Sequence, residues 1–208
     1  MKKYFITAFL FGAFISASFS QEVEYFVIKQ DSLVGLVNSK GTQIVAPKYQ
    51  SIGKFNVIKK DWAKVTKDNL VGYIDDEGVE VVAPVYSKIG SFGEYKDNWA
   101  LIEQNSKLGF IDNNGSVVIE PIYDEIGSFG KIRKGWSKVK KENKYGFINT
   151  DGEVIVETKY DEIGNFNVYK KNLSVVKLNG KSGLINIEGE ETLAPLFDNI
   201  EPIKTTKE

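Results

Sequence analysis

The stretch Lys144-Tyr-Gly-Phe-Ile-Asn-Thr-Asp-Gly152 decides the fold, because variants of it recur at a constant step of 37 residues. Its two glycines belong to two columns that contain no insertion or deletion. The first column is Gly35, Gly72, Gly109, Gly146 and Gly183, and the second is Gly41, Gly78, Gly115, Gly152 and Gly189. A constant period of this length predicts a tandem-repeat protein whose units pack against their neighbours.

Other residue columns follow the same period. The aromatic column is Tyr49, Tyr86, Tyr123, Tyr160 and Phe197, and the aliphatic column is Ile52, Ile89, Ile126, Ile163 and Ile200. A phenylalanine column contains Phe55, Phe92, Phe129 and Phe166, and a proline column contains Pro47, Pro84, Pro121 and Pro195. Five units of 37 residues account for 185 of the 208 residues, which leaves no stretch for a separate catalytic domain.

The residues within one unit predict four short strands. In the second unit, β-branched and aromatic residues are concentrated in the segments 62–66, 70–74, 79–83 and 86–92. Turn residues separate the first three segments at 67–69 and 75–78. Glycines and paired aliphatic residues interrupt any helical stripe, so an antiparallel meander is favoured over a helical repeat.

Each predicted turn begins with Asp or Asn and ends three residues later with a second-column glycine. The first residues are Asn38, Asp75, Asp112, Asn149 and Asn186. Such side chains accept hydrogen bonds from the N–H groups of the turn itself, and glycine adopts the positive φ of a tight hairpin. Calcium is the alternative interpretation, but a calcium loop needs about six to eight oxygens and a four-residue turn supplies few of them.

The N-terminus predicts a secretory signal over residues 1–20. Lys2 and Lys3 precede an apolar run from Tyr4 to Ile15, and Ser18 and Ser20 occupy the small-residue positions of a cleavage site. The run is shorter than the roughly 20 residues of a membrane-spanning helix. We therefore expect a periplasmic or secreted protein that meets the membrane only through its cleaved signal.

Composition excludes several classes of function. The chain has no cysteine and no histidine, so disulfides, Cys–His and Ser–His–Asp catalysis and the usual zinc sites are all impossible. Without the signal, 25 basic residues face 28 acidic residues, a formal charge of −3. This balance does not support nucleic-acid binding. No cofactor or metal is predicted.

The unit reads glycine, a large apolar residue, Ile or Val, Asp or Asn, two further residues and glycine. Paired aliphatic residues, proline and Tyr-Asp-x-Ile-Gly-x-Phe follow. This pattern resembles the WG (KWG) β-repeat family of bacteria over about residues 22–203. The best copy, 144–149, has Tyr145 at the position of the family tryptophan, where the other copies have Val34, Val71, Leu108 and Ser182. The resemblance implies a structural or interaction module.

Three tryptophans occupy another repeated position, Trp62, Trp99 and Trp136. Strand alternation places Trp62 opposite Ala63 and Val65, on the face that also contains Lys64. One interpretation is that each indole covers the junction with the neighbouring unit. The other is that the three indoles are exposed and bind a sugar or anchor a partner protein.

Basic residues recur in the segment that leads to each new unit: Lys59, Lys60, Lys96, Arg133, Lys134, Lys170 and Lys171. Stacked units would align them along one edge. Such an edge either binds an anionic envelope polymer or is a solvated rim that maintains solubility.

The sequence therefore predicts a signal peptide, 1–20, and a single all-β domain, 21–208, with repeats at about 25–61, 62–98, 99–135, 136–172 and 173–208. An open or incompletely closed array is favoured over a small five-bladed ring. The expected function is a non-enzymatic scaffold that binds a partner protein or an envelope glycan. The alternative is a carbohydrate-active or calcium-dependent enzyme, in which carboxylates of Asp75, Asp112, Glu125 and Glu162 would pair as acid and base.

Overall fold

The computed structural model describes residues 24–203, and the predicted signal segment lies outside them. The described residues contain β-strands and no helix, which confirms the predicted all-β class. The strands are β1 (Tyr25–Gln30), β2 (Leu33–Asn38), β3 (Gln43–Tyr49), β4 (Ser51–Phe55), β5 (Trp62–Lys67), β6 (Leu70–Asp75), β7 (Glu80–Tyr86), β8 (Lys88–Ile89), β9 (Trp99–Gln104), β10 (Lys107–Asp112), β11 (Val117–Tyr123), β12 (Glu125–Ile126), β13 (Trp136–Lys141), β14 (Lys144–Asn149), β15 (Val154–Tyr160), β16 (Glu162–Ile163), β17 (Leu173–Leu178), β18 (Lys181–Asn186) and β19 (Glu191–Phe197).

Consecutive strands pair in antiparallel fashion to form five separate sheets. Sheet 1 contains β1–β3, and sheets 2 to 5 contain β4–β7, β8–β11, β12–β15 and β16–β19. The first two long strands of each sheet are joined by a two-residue hairpin. In sheet 3 both hairpin residues have positive φ, 51° at Asn105 and 60° at Ser106, which suits the twist of the flanking strands. The predicted tandem meanders are thus confirmed.

The fourth predicted strand of a unit belongs to the following sheet. β7 ends at Tyr86, and Ile89 of β8 pairs with Ile102 of β9, so the segment 86–92 is divided between two sheets. The N–H of Ser87 donates to the carbonyl of Glu103 and directs the chain across the junction. The hydrogen-bonded sheets therefore cross the repeat limits expected from the sequence. Each short strand ties one repeat to the next.

The first glycine column lies opposite a β-bulge. In sheet 3, Leu108 pairs with Tyr123 while Phe110 pairs with Ile119, so Gly109 faces a bulged segment of β11. A Cβ at Gly109 would lie 2.3 Å from the Ile119 carbonyl oxygen. Backbone packed this closely leaves no room for a side chain, and proline is tolerated beside it because the bulge interrupts the ladder.

The hydrophobic core is divided into four clusters, one at each junction between consecutive sheets. The cluster between sheets 3 and 4 comprises Trp99, Phe110, Ile119, Tyr123, Ile126, Val139 and Ile148. Because sheets 2, 3 and 4 contribute to clusters on both sides, both of their faces are buried. No cluster joins sheet 1 to sheet 5 within residues 24–203, and the sheets are not closed into a ring. The open array is confirmed and the closed ring is not found.

Turn glycines add a contact between repeats. Gly115 has a φ of 85°, and a Cβ there would lie 2.2 Å from the carbonyl oxygen of Val81 in sheet 2. Each turn from sheet 2 onwards approaches the preceding sheet in this way. The second column therefore serves both the reversal of the chain and the stacking of units.

Candidate interaction surface

The three tryptophans are buried at the junctions between sheets. Their exposed fractions are 6% for Trp62, 6% for Trp99 and 7% for Trp136. The Trp99 ring lies 5.5 Å from that of Phe110 in its own sheet and meets Phe129, which follows β12 of the next sheet, edge-on at 5.9 Å. Of the two interpretations, exposure of these indoles to a ligand is therefore wrong, and the junction-covering interpretation describes their positions. Strand alternation did not predict this burial, because neighbouring sheets cover both faces of a stacked sheet.

One basic residue in each of the first three connecting segments packs on an indole. The Lys59, Lys96 and Arg133 side chains lie 4.3, 4.0 and 4.5 Å from the centres of their tryptophan rings. Lys59 also donates to the carbonyl of Asn113, and Lys96 to that of Thr150, each in a turn of the following sheet. All three cations stabilise the junctions through cation–π contacts, and the two lysines add these hydrogen bonds. They are therefore not free to bind a partner.

The basic residues of the connecting segments lie on four loops at one end of the sheets. We call these four loops, 56–61, 93–98, 130–135 and 167–172, the loop rim. Each loop is closed by backbone hydrogen bonds, and the first and fourth loops add one from an asparagine side chain. In the fourth loop, Asn167 Oδ1 accepts from the N–H of Asn172 at 2.7 Å, and both residues have positive φ. Asn tolerates this conformation better than most residues. The loops therefore present their tips in a defined geometry.

Charge on the loop rim does not follow the repeat. The loops 130–135 and 167–172 contain five basic residues and no acidic residue, whereas loop 93–98 contains Glu94 and Asp97 beside Lys96. The exposed basic residues of these two loops are Lys131, Lys134, Lys170 and Lys171. Lys60 is exposed as well, but its ammonium lies 3.8 Å from the Asp61 carboxylate.

Exposed apolar side chains accompany the basic residues in the last loop. Val168 is 64% exposed and Tyr169 is 57% exposed. We define the basic patch as Lys131, Lys134, Val168, Tyr169, Lys170 and Lys171. The sequence reasoning missed Lys131, Val168 and Tyr169. Comparison of the four loops would have found Lys131, because the other loops have Val57, Glu94 and Val168 at its position of the repeat.

The Asp and Asn side chains that begin the turns accept hydrogen bonds from N–H groups of the turns. Asp75 Oδ1 accepts from the N–H groups of Glu77 at 3.1 Å and Val79 at 2.8 Å, and the other four turns repeat this pattern. This is the geometry predicted for turn formation. Among residues 24–203 there is no group of three or more acidic residues placed to hold a metal ion.

The four carboxylates considered as candidates for an acid–base pair lie in four different sheets. Glu125 forms an ion pair with Lys140 at 3.0 Å, and Glu162 forms one with Lys177 at 3.0 Å. Asp112, like Asp75, accepts the N–H groups of its turn. The structure does not bring these four residues together.

Two grooves lie near the C-terminal repeats. One, of about 570 Å³, is bordered by Leu173, Leu184 and the segment 199–203. The other, of about 650 Å³, contains Lys138, whose ammonium donates to the Ile163 carbonyl at 2.9 Å and lies 4.4 Å from the Tyr145 ring centre. Burial lowers the pKa of Lys138. Lys138 therefore links sheet 4 to sheet 5 and does not point to a ligand.

A buried tyrosine meets a glutamate at the first junction. Tyr49 O–H donates to Glu80 Oε1 at 2.6 Å, and Lys48 pairs with the same oxygen at 2.9 Å. Hydrogen bonds from Tyr49 and then Lys48 lower the pKa of the Glu80 carboxyl. Burial, followed by the bond to Glu80, raises the pKa of Tyr49 to about 12. Tyr160 and Glu191 repeat the contact at the last junction, at 2.6 Å.

We predict that Glu80→Gln makes the free energy of unfolding less dependent on pH in the acidic range. A carboxyl whose pKa is lowered by folding stabilises the native state above its ordinary pKa of 4.5, and this contribution is lost as pH falls through the lowered value. The variant should be less stable than the wild type at neutral pH, and the difference should shrink below pH 4.5. Urea unfolding at a series of pH values measures this. The exposed Glu77→Gln serves as control, and an equal difference at every pH would contradict the prediction.

An open row of five β-meanders, with aromatic clusters at its junctions, defines a tandem β-repeat protein. The sequence matches the family described as WG containing repeat in five successive segments, 35–70, 72–107, 109–145, 145–181 and 183–204. These segments cover most of the chain, so the protein belongs to the WG repeat family.

The chain has low sequence identity and low structural similarity to solved structures. Kluyveromyces lactis Hsv2 is 11% identical with a TM-score of 0.28, and the alignment covers 81% of this chain and 59% of that one. BamB from Moraxella catarrhalis is 12% identical, with a TM-score of 0.28 and coverage of 84% and 62%. Citrobacter koseri AztD is 13% identical, with a TM-score of 0.28 and coverage of 85% and 58%. The chain thus spans less than two thirds of each of these proteins. No curated protein matches it.

In the part of the chain from 24 to 203, no helix has the length and apolar character needed to cross a bilayer.

Proposed function

We propose that the protein is an exported, non-enzymatic scaffold that binds a partner protein with an acidic surface through the basic patch. One observation carries this proposal: four exposed cations are concentrated on two neighbouring loops of the array, and two exposed apolar side chains lie beside them on the second of these loops. Symmetry alone would distribute the cations over all four loops. Cations around an apolar contact provide both electrostatic steering and buried area, which suits a protein surface.

The burial of the indoles favours a partner protein over an envelope glycan, the two partner classes considered from the sequence. Stacking on sugar rings needs exposed aromatic faces, and Trp62, Trp99 and Trp136 are inside the junctions. An anionic envelope glycan would engage the lysines of the basic patch but would leave Val168 without a role. A partner protein uses both features of the patch. A glycan therefore becomes an outcome of the test.

Export is part of the proposal and rests on the pattern of residues 1–20. Mass spectrometry of the protein recovered from cells that express the full chain will identify its N-terminus. A start at Gln21 supports export, and a recovered chain that retains Tyr4 to Ile15 opposes it.

We predict that the double charge reversal Lys134→Glu and Lys171→Glu weakens retention of the partner by at least about tenfold, because a complementary contact becomes repulsive. The immobilised protein would be incubated with a cell-envelope fraction, and retained proteins and glycans would be quantified by mass spectrometry. Retention by the wild type should also fall steeply as salt is raised, since exposed charges are screened.

The matched control is Lys67→Glu, because Lys67 is exposed at the opposite end of its strand from the loop rim. This control should retain the partner as the wild type does. A protein retained equally by all three forms, or retention that does not change with ionic strength, would contradict binding through the basic patch. If the double charge reversal lowers retention of a glycan but not of any protein, the basic patch is a glycan-binding site instead.

A further inference from the structure

The two ends of the array lack matching parts. Sheets 2 to 5 each begin with a short strand, β4, β8, β12 or β16, whereas sheet 1 begins directly with β1. Within residues 24–203, no strand pairs with the outer edge of β1. A further copy of the short-strand sequence is present at Asn199-Ile200, 37 residues after Glu162-Ile163, and it belongs to none of the five sheets. Sheet 1 thus lacks a short first strand, and the C-terminal end has an unpaired copy of the short-strand sequence.

We propose that a second copy of this chain docks head to tail, so that the segment 199–203 of one copy completes sheet 1 of the next. The internal junctions fix the register. Ile52, Ile89, Ile126 and Ile163 pair with Val65, Ile102, Val139 and Val176. One period before Val65 is Ile28 of β1, so Ile200 pairs with Ile28 and Asn199 with Lys29. Addition of a strand to an open edge satisfies its unpaired N–H and C=O groups.

The apolar faces at the two ends also match. Phe197 is 47% exposed, whereas Tyr49, Tyr86, Tyr123 and Tyr160 at its column are at most 7% exposed because a following sheet covers them. At the other end, Phe26 of β1 is 52% exposed, and its counterparts Ala63, Ala100, Ser137 and Ser174 are buried against the preceding sheet. Both end faces therefore lack the neighbour that their counterparts have.

Side-chain volumes at the ends compensate one another. At the internal junction between sheets 4 and 5, the receiving face has Trp136 and Phe147, and the incoming position is the small Ser174. The receiving face of sheet 5 has Leu173 and Leu184 instead, and these border the groove of about 570 Å³. The incoming residue from β1 would be Phe26, which is larger than alanine or serine. A larger residue thus enters the roomier face, as close packing requires.

The first and fifth sheets of one chain share no cluster and no ladder in the described residues. Docking between copies therefore satisfies both ends without closing the array on itself. A contact between two different surfaces of this kind repeats from copy to copy and generates an open chain or a larger ring.

The test uses introduced cysteines, since the natural chain has none. Two single variants, Lys29→Cys and Asn199→Cys, would be mixed and oxidised, and the products separated without reductant. A covalent dimer that forms in the mixture, together with a ladder of multiples from the double variant, supports the proposal. A compact cross-linked monomer from the double variant indicates ring closure and overturns it. Lys29→Cys mixed with Lys171→Cys is the out-of-register control.

A second measurement does not depend on cysteine chemistry. Phe26→Lys should weaken the concentration-dependent association seen by sedimentation at least about tenfold, because a charge would enter an apolar junction. Val79→Lys, at a residue that is 56% exposed on a turn, should leave association unchanged. Circular dichroism verifies that both variants fold. A wild type that stays monomeric at every concentration, or equal association of the two variants, overturns the proposal.

Discussion

Replacement of Trp99 by alanine is expected to lower the free energy of unfolding by about 3–5 kcal/mol. The indole is 6% exposed and contacts Phe110 and Phe129 in the cluster between sheets 3 and 4. Its removal leaves a cavity and also takes away the ring on which Lys96 packs at 4.0 Å. In a row of units, stability depends on the interfaces between neighbours, so weakening the third junction should also make unfolding less cooperative.

Urea unfolding followed by far-ultraviolet circular dichroism measures both effects. Trp99→Leu is the matched control, because the fifth repeat has Leu173 at the same position. It should cost less than the alanine variant, since much of the buried volume is retained. A loss below about 1 kcal/mol for Trp99→Ala would be typical of a surface substitution and would contradict burial of the indole.

Replacement of Gly109 by alanine is expected to destabilise the protein by about 3 kcal/mol or more, the upper range for overpacking. The added Cβ would lie 2.3 Å from the Ile119 oxygen, 2.7 Å from the Pro121 nitrogen and 2.8 Å from the Glu120 carbonyl carbon. All three neighbours are backbone atoms, so no side-chain rotation relieves the clash. The bulge in β11 must shift, and with it Ile119, which packs against the next sheet.

Gly90→Ala tests whether position or residue type is responsible. Gly90 lies beside sheet 3, and a Cβ there would have its nearest contact at 3.5 Å, from the Leu101 oxygen, an ordinary van der Waals distance. The change in unfolding free energy should stay within about 1 kcal/mol. Equal losses in the two variants, measured by urea unfolding under the same conditions, would refute the role assigned to the bulge.

The loops illustrate what could be read from the sequence and what could not. The period, the strand segments and the turn residues depend on local pattern and backbone geometry, and the structure confirms them. The basic residues Lys59 and Lys170 look equivalent in the sequence because they occupy the same position of the repeat. Only the structure shows that the first packs on an indole and hydrogen-bonds to the following sheet, while the second is exposed.

The sequence by itself determined that the chain consists of five tandem β-repeats, because the constant spacing of glycines and Asx turns fits an antiparallel meander and interrupts any helical stripe. The tertiary structure alone decided that each short strand joins the following sheet, that the tryptophans are covered and that the row remains open. Strand alternation specifies which side chains share a face of a sheet. What that face meets depends on contacts between units, and these arise from packing rather than from the pattern of any one strand.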